Sequence, residues 1–261
     1  MDLLLTKARR LRKKVEHLRG RLPAVPTSEL PVSSEALARC ERPVFLLPGA
    51  SPRRACEVLE KRLTRDGFFV WRLGMGGLGD RLRRRGIEEM AEALRAQIEH
   101  LRAHYRLGAF TLVAVGVPGL VARYYVKRLG GEQRCGALVT LGTPHHGAPH
   151  LLANLSLRLL SRQARQLVPM SPFIRRLKMG PFPPQVRFVS IYSRADRLYP
   201  FPSCILETEG QDNLFNLEVS AATPRALLTR GDLYALIRRE LELGLGIAPT
   251  AAATGEGAAT P

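Results

Sequence analysis

Short apolar runs alternate with amphipathic stretches through the middle of this chain. Six of the apolar runs are rich in β-branched and aromatic residues and predict strands. They lie at 43–49, 68–73, 110–115, 137–142, 186–192 and 216–220. Apolar residues at helical spacing predict helices at 52–65, 87–105, 120–129 and 232–243. The alternation predicts an α/β fold with a mostly parallel central sheet and helices on both faces.

The remaining segments differ from this core in composition. Residues 1–22 place apolar side chains at spacings of four and three, with Lys and Arg on the other faces, which predicts a basic amphipathic helix. A stretch containing Pro and Ser at 23–42 predicts a linker, and low-complexity sequence at 247–261 predicts a disordered tail. The main domain then spans 43–246. An insertion at 150–184 interrupts the alternation, and we expect a helical cap over the ligand-binding edge of the sheet.

The formal net charge of +17 restricts the candidate partners. Such a charge attracts an anionic membrane surface, an acidic protein or nucleic acid. Nucleic acid is disfavoured because the chain lacks a recognised binding motif and interleaved aromatic residues. The basic helix at 1–22 has three candidate roles: docking on the domain, pairing with another helix, or lying on anionic lipid. The net charge has a plainer explanation that involves no partner, namely the frequent use of arginine in a sequence rich in Ala and Arg.

The cysteines and the hydropathy pattern bear on the compartment. Cys40, Cys56, Cys135 and Cys204 are widely scattered, without the spacing of a metal site, and we interpret them as reduced structural thiols. The N-terminal residues lack the charge order of a signal peptide, and no later apolar run is long enough to span a bilayer. We expect a cytoplasmic protein without a cofactor or metal, soluble or peripherally attached to the inner membrane face.

One stretch has the setting of a catalytic turn. "TLVAVGVPGLVARYY" (111–125) runs from a predicted strand through a Gly-containing turn into a predicted helix. A nucleophile elbow, G-x-S-x-G, has this arrangement, with a serine at the tip of the turn. The tip here carries no serine, since none occurs between Ser51 and Ser156.

Four motifs together resemble one protein family. "LLPG", "LVARYYVKRLGG", "LVTLGTPHHG" and "VRFVSIYSRADRLYP" occur in this order between residue 43 and about residue 243. They resemble the lipase/esterase branch of the α/β-hydrolase superfamily, close to bacterial triacylglycerol lipases and the inositol-deacylase-like group. The resemblance implies a nucleophile position at Gly116, an acid position at Asp196 and a base position at or near Pro224. A turn aspartate on the surface is the plainer interpretation of Asp196.

The general base can be sought from chain order. In this fold the base follows the acid, but the last histidine of the chain is His150. We interpret His145 and His146 as part of a structural loop. The alternatives are a catalytic histidine pair, and a metal site that these two would form with His150.

The resemblance implies that an oxyanion hole survives in part. Its donors would be the backbone N–H of Val117 and one in the loop at Gly49 and Ala50. We therefore expect a catalytically inactive protein that binds a lipid or acyl group or a partner protein. The alternative is an active carboxylic-ester hydrolase with an unconventional catalytic constellation.

Overall fold

The computed structural model describes residues 42–49, 53–73, 85–105, 107–149, 162–220 and 224–248. The predicted basic helix at 1–22 lies outside these residues. The linker predicted at 23–42 and the tail predicted at 247–261 lie almost wholly outside them. These three expectations stay predictions.

One parallel sheet forms the centre of the described structure. Its strands are β1 (Pro43–Leu47), β2 (Phe69–Arg72), β3 (Phe110–Val115), β4 (Cys135–Leu141), β5 (Arg187–Tyr192) and β6 (Leu214–Glu218). The spatial order is β2-β1-β3-β4-β5-β6, and every neighbouring pair is parallel. The predicted α/β fold class is confirmed. The predicted strand bounds agree to within about two residues.

The central strands β1 and β3 consist largely of apolar residues because both faces of the sheet are covered there. All five residues of β1 are buried. Phe45 and Leu47 belong to one core cluster, and Val44 and Leu46 belong to a second cluster. Successive side chains of a strand point to opposite faces, so each face of the sheet has its own core.

Helices cover both faces. The longer ones are α1 (Arg53–Arg65), α2 (Ile87–Tyr105), α3 (Pro118–Arg128), and, after four shorter helices, α8 (Gly231–Gly244). The shorter ones are α4 (Arg162–Gln166), α5 (Pro172–Lys178), α6 (Phe201–Cys204) and α7 (Pro224–Thr229). Helices α2 to α5 contribute buried residues to the core that contains Phe45, and α1, α7 and α8 to the core that contains Val44. No helix in the described ranges is both long and apolar enough to cross a membrane.

The described part of the insertion packs against α2 and α3. The backbone N–H of Ile87 donates to Gln166 Oε1 at 2.6 Å, and the rings of Tyr124 and Phe173 lie 6.0 Å apart. Lys127 Nζ donates to the Leu177 carbonyl at 3.0 Å. Residues 150–161 lie outside the described part of the chain. A cap over the sheet edge therefore stays a prediction.

Three cysteines lie in the described structure. Cys56, Cys135 and Cys204 are buried and form no disulfide. Burial raises the pKa of Cys204 to about 12, so its thiolate is scarce at neutral pH. Cys40 lies outside the described residues.

The strand order locates the crevice of the sheet. Strand β1 has β2 on one side and β3 on the other, so the connections after β1 and after later strands run in opposite directions. In open parallel sheets, ligands bind outside the carboxyl ends of the strands at such a switch point. The loops that follow Leu47 and Val115 therefore border the candidate site.

Candidate functional site

The turn after β3 is held in the conformation of an elbow. Gly116 has φ of +65°, and its N–H donates to the Leu141 carbonyl at 2.9 Å. Helix α3 begins two residues later, at Pro118. Such a φ costs a residue with a side chain on the order of 1 to 3 kcal/mol, and glycine avoids this strain. The strand, turn and helix predicted from the sequence are thus present.

A side chain at the tip of the turn would face an aromatic ring. A Cβ atom placed on Gly116 would lie 3.7 Å from Cε2 of Tyr199, which is an ordinary contact. Tyr199 is partly buried, and burial followed by the Asp196 carboxylate raises its pKa to about 12. The position therefore has room for a small side chain, but its positive φ would strain the backbone of any residue that carries one.

The loop after β4 is tied to the elbow. Thr143 is fully buried, and its hydroxyl donates to the Gly116 carbonyl at 2.8 Å. A Cβ atom on Gly119 would clash with Thr143 Oγ1 and lie 2.6 Å from Thr143 Cγ2. The absence of a side chain at Gly119 is what allows α3 to approach this loop so closely.

Asp196 lies inside the fold at the same edge of the sheet. It is 8% exposed, so it is not the surface residue of the plainer interpretation. Oδ1 accepts the backbone N–H groups of Leu198 at 2.8 Å and of Tyr199 at 3.1 Å. Oδ2 lies 3.1 Å from where a Cβ atom on Gly142 would be. Within the described ranges, no hydrogen-bond donor pairs with Oδ2.

The segment that would carry the base lies near this carboxylate. Pro224 is the first residue of α7, and proline is favoured at that helical position. Leu227 Cδ1 lies 3.6 Å from the same Cβ position on Gly142 that Asp196 Oδ2 approaches. The acid position and the base segment are thus brought together. The sequence did not predict α7.

The loop after β1 reaches the elbow. A Cβ atom on Gly49 would lie 2.5 Å from the Val115 carbonyl oxygen and 3.1 Å from Pro118 Cδ. The loop backbone therefore lies against the end of β3. Ala50, the second residue expected in this loop, lies outside the described part of the chain.

One backbone donor at the elbow, the N–H of Val117, lacks a backbone acceptor in the part of the chain that the structure describes. The N–H groups of Gly119 and Leu120 donate to the carbonyls of Gly116 and Val117, each at 2.9 Å, and Pro118 has no N–H. No backbone acceptor in the described ranges pairs with the N–H of Val117. That N–H lies at the positive end of α3, where an anion or a polarised carbonyl is stabilised.

The two histidines after β4 make structural contacts. His145 is fully buried, and its Nε2 lies 3.1 Å from the Thr140 hydroxyl. His146 Nε2 donates to the Ile205 carbonyl at 2.9 Å. Burial lowers the pKa of both imidazoles, that of His145 most strongly. These contacts favour the structural interpretation over a catalytic pair.

Sequence reasoning missed two contributors to the site. Thr143 and Tyr199 lie within the quoted motifs at 138–147 and 186–200, but no pattern there predicted that the tertiary fold brings them to the elbow. As for metal ligands, no group of three or more His, Cys, Asp or Glu side chains suited to an ion occurs within the described ranges.

Comparisons with known proteins identify the fold. No family model and no curated protein matches the chain. Among solved structures, lipase B of Aspergillus fumigatus matches 80% of this chain at 17% identity with a TM-score of 0.61. A structure of the metagenome-derived lipolytic enzymes LipS and LipT matches 78% of this chain and 93% of its own chain, at 14% identity and a TM-score of 0.56. A mature Bacillus licheniformis lipase matches 82% of this chain and 94% of its own, at 12% identity and a TM-score of 0.55.

These likenesses concern the fold. The chain spans 57% of the length of the Aspergillus lipase chain. It has the α/β-hydrolase fold found in lipases and esterases.

Proposed function

We propose that this protein is a catalytically inactive α/β hydrolase that binds an ester, acyl or carboxylate group. The observation that carries the proposal is glycine at the tip of the elbow. Gly116 keeps the φ of +65° but offers no hydroxyl for covalent catalysis. No histidine follows Asp196 in the chain to act as the general base.

Neighbouring hydroxyl groups are poor replacements for the nucleophile. The Thr143 hydroxyl is buried and donates a hydrogen bond to the Gly116 carbonyl. The Tyr199 phenol has a pKa of about 12, so little phenolate exists at neutral pH. Both observations favour binding without cleavage.

The alternative function is ester hydrolysis by an unconventional constellation, for which His145 and His146 are the candidate bases. His145 is fully buried against Thr140, and His146 is bonded to the Ile205 carbonyl. A general base must lie within hydrogen-bond reach of the proton that it removes. We therefore favour the inactive protein.

We expect no turnover of short- or medium-chain nitrophenyl esters above a buffer blank. Loss of triad members leaves at best an acceleration of roughly 10³ to 10⁴ over water. Release of nitrophenolate measures the rate. Saturable turnover that survives both His145→Ala and His146→Ala would contradict the inactive function, and turnover abolished by these substitutions would favour the histidine pair.

Binding of the uncleaved ester tests the other half of the proposal. We expect saturation-transfer NMR signals from a short-chain ester, and competition by the matching carboxylate. Val117→Pro removes the backbone donor at a residue whose φ is −55°, a value that proline adopts. The loss of one hydrogen bond should weaken binding roughly 3- to 10-fold. Equal binding by a variant that melts at the parent temperature would rule out this donor.

We further propose that residues 1–22 bring the protein to an anionic surface. The net charge of +17 and the basic face of this segment support the idea. We expect association with anionic vesicles of about 1 kcal/mol per Lys or Arg near the surface, weakening as salt increases. Vesicle sedimentation compares the full chain with a chain that begins at Pro23. Equal binding by both chains would assign the membrane contact elsewhere.

A further inference from the structure

A buried arginine lies on α3, away from the tip of the elbow. Arg123 is 8% exposed, and its Nε is buried without a hydrogen-bond partner. Its guanidinium carbon lies 5.7 Å from the centre of the Phe188 ring. Within the described ranges no carboxylate pairs with it. Burial lowers its pKa to about 10, and the charge of Glu207 offsets part of this effect.

A second buried polar atom borders the same ring. The ring of His145 meets that of Phe188 edge to face at 5.3 Å, and its Nδ1 is buried without a partner. The Thr140 hydroxyl donates to the Val189 carbonyl at 3.2 Å, so its oxygen accepts from His145 Nε2. This network assigns the imidazole proton to Nε2 and leaves Nδ1 as an acceptor. A charged donor and a neutral acceptor are thus both unsatisfied beside one aromatic ring.

Two lysines add positive charge near Glu207, the acid whose charge acts on Arg123. Lys127 Nζ donates to the carbonyl of Gly180 at 2.6 Å, and its pKa is lowered to about 8 by burial and by Arg123. Lys178 Nζ contacts Glu207 at 2.5 Å. Glu207 is the acid whose charge acts on Arg123, but its side chain is 63% exposed and already paired. Three cations around one carboxylate leave an excess of two positive charges.

We propose that Arg123, His145 and Lys178 form a binding site for a phosphate group, separate from the elbow. The guanidinium fork binds two phosphate oxygens, a geometry that arginine favours. Protonated phosphate also carries an O–H that donates to His145 Nδ1. Sulfate has no such proton at neutral pH, so the acceptor selects phosphate. Two negative charges match the local excess of positive charge, which a carboxylate does not.

Thermal unfolding of the full chain tests the site. At pH 7 and constant ionic strength, inorganic phosphate should raise the melting temperature saturably, relative to sulfate, acetate and chloride. Phosphate should no longer raise the melting temperature of Arg123→Met. This variant should also melt no lower than the parent in chloride, because an uncompensated buried charge has been removed. Lys178→Met should raise the half-saturating phosphate concentration roughly tenfold.

Arg187 provides the matched control. Its guanidinium is paired at 2.7 Å with the buried carboxylate of Glu240. Arg187→Met should therefore lower the melting temperature in every salt and keep the phosphate increment. A phosphate increment that persists in Arg123→Met would overturn the proposal. Equal effects of phosphate, sulfate and chloride on the melting temperature would also overturn it, because the site would then hold only water. An effect of acetate equal to that of phosphate would overturn it as well.

A final comparison tests whether the phosphate group belongs to a lipid headgroup or to free phosphate. Short-chain phosphatidic acid below its micelle concentration is compared with inorganic phosphate. Saturation by the lipid at lower concentration assigns the site to a lipid headgroup, and equal saturation assigns it to free phosphate. Absence of a saturable effect from both would overturn the proposal. Because this lipid also carries ester groups, which the elbow is proposed to bind, only saturation that Arg123→Met loses is assigned to the phosphate site.

Discussion

The double variant Gly116→Ser with Pro224→His is expected to hydrolyse short-chain nitrophenyl esters. The serine supplies a hydroxyl at an elbow that keeps its φ, and the histidine supplies a base on the segment near Asp196. Asp196 Oδ2 lies toward Gly142 and is available to orient an imidazole, since Oδ1 is occupied by backbone donors. Because the resemblance implies a base position at or near Pro224, histidine is also tested at Thr223 and Arg225.

Three measurements separate revived chemistry from background. The rate should rise with pH as the imidazole loses its proton near an unperturbed pKa of about 6.5, because only the neutral form accepts a proton. Asp196→Asn should then depress the rate. Gly116→Ser alone should be nearly inert, and Gly116→Ala is the matched control because it carries the same strain, on the order of 1 to 3 kcal/mol, without a hydroxyl.

If no folded double variant hydrolyses the ester, this placement of the site is contradicted. A revived variant that Asp196→Asn leaves unchanged would contradict the role of the carboxylate. In either case the fold assignment would stand, because it depends on the sheet and its structural relatives.

The Gly119→Ala variant is expected to lower the free energy of unfolding by roughly 2 to 3 kcal/mol. The added methyl group would overlap Thr143, which is fully buried, so the overlap is relieved only when Thr143 is displaced. Overpacking of a core typically costs 1 to 3 kcal/mol, and displacement of Thr143 also breaks its hydrogen bond to the Gly116 carbonyl. Chemical denaturation measures the change.

A double-mutant cycle identifies the cause. Thr143→Ala removes two of the three overlapping atoms, so Gly119→Ala with Thr143→Ala should cost less than the sum of the single variants. Gly231→Ala is the matched control, since a Cβ atom there meets nothing within 4 Å. Additive single effects, or an equal loss in the control, would show that the close approach of α3 is not responsible.

The hydrophobic pattern was enough to predict the sheet and its main helices. Strand β3 agrees with the prediction at both ends, because its apolar run is buried on both faces and ends in a glycine turn. Strand β6 lies two residues earlier than predicted, since its burial is only partial and its pattern is weaker. The short helices α6 and α7 were missed because four to six residues cannot establish a helical period.

The absences at the candidate site were also visible in the sequence. A missing serine at residue 116 and a missing histidine after Asp196 are facts of residue type and chain order. Both absences are visible without a structure. The expected loss of hydrolysis therefore follows from the sequence and the family resemblance, and it stays a prediction until turnover is measured.

Only the tertiary structure decided how individual side chains are surrounded. Asp196 could have been an exposed turn residue, and no sequence pattern predicts that the ring of Tyr199 lies beside Gly116. Arg123 looks in sequence like any basic residue of an amphipathic helix, yet it is buried against Phe188. Periodicity reports which local face is apolar, whereas the charge, solvation and partners of a group depend on residues far away in the chain. The sequence by itself thus determined the architecture and the missing chemical groups, and the packing of distant segments decided which polar groups are buried and uncompensated.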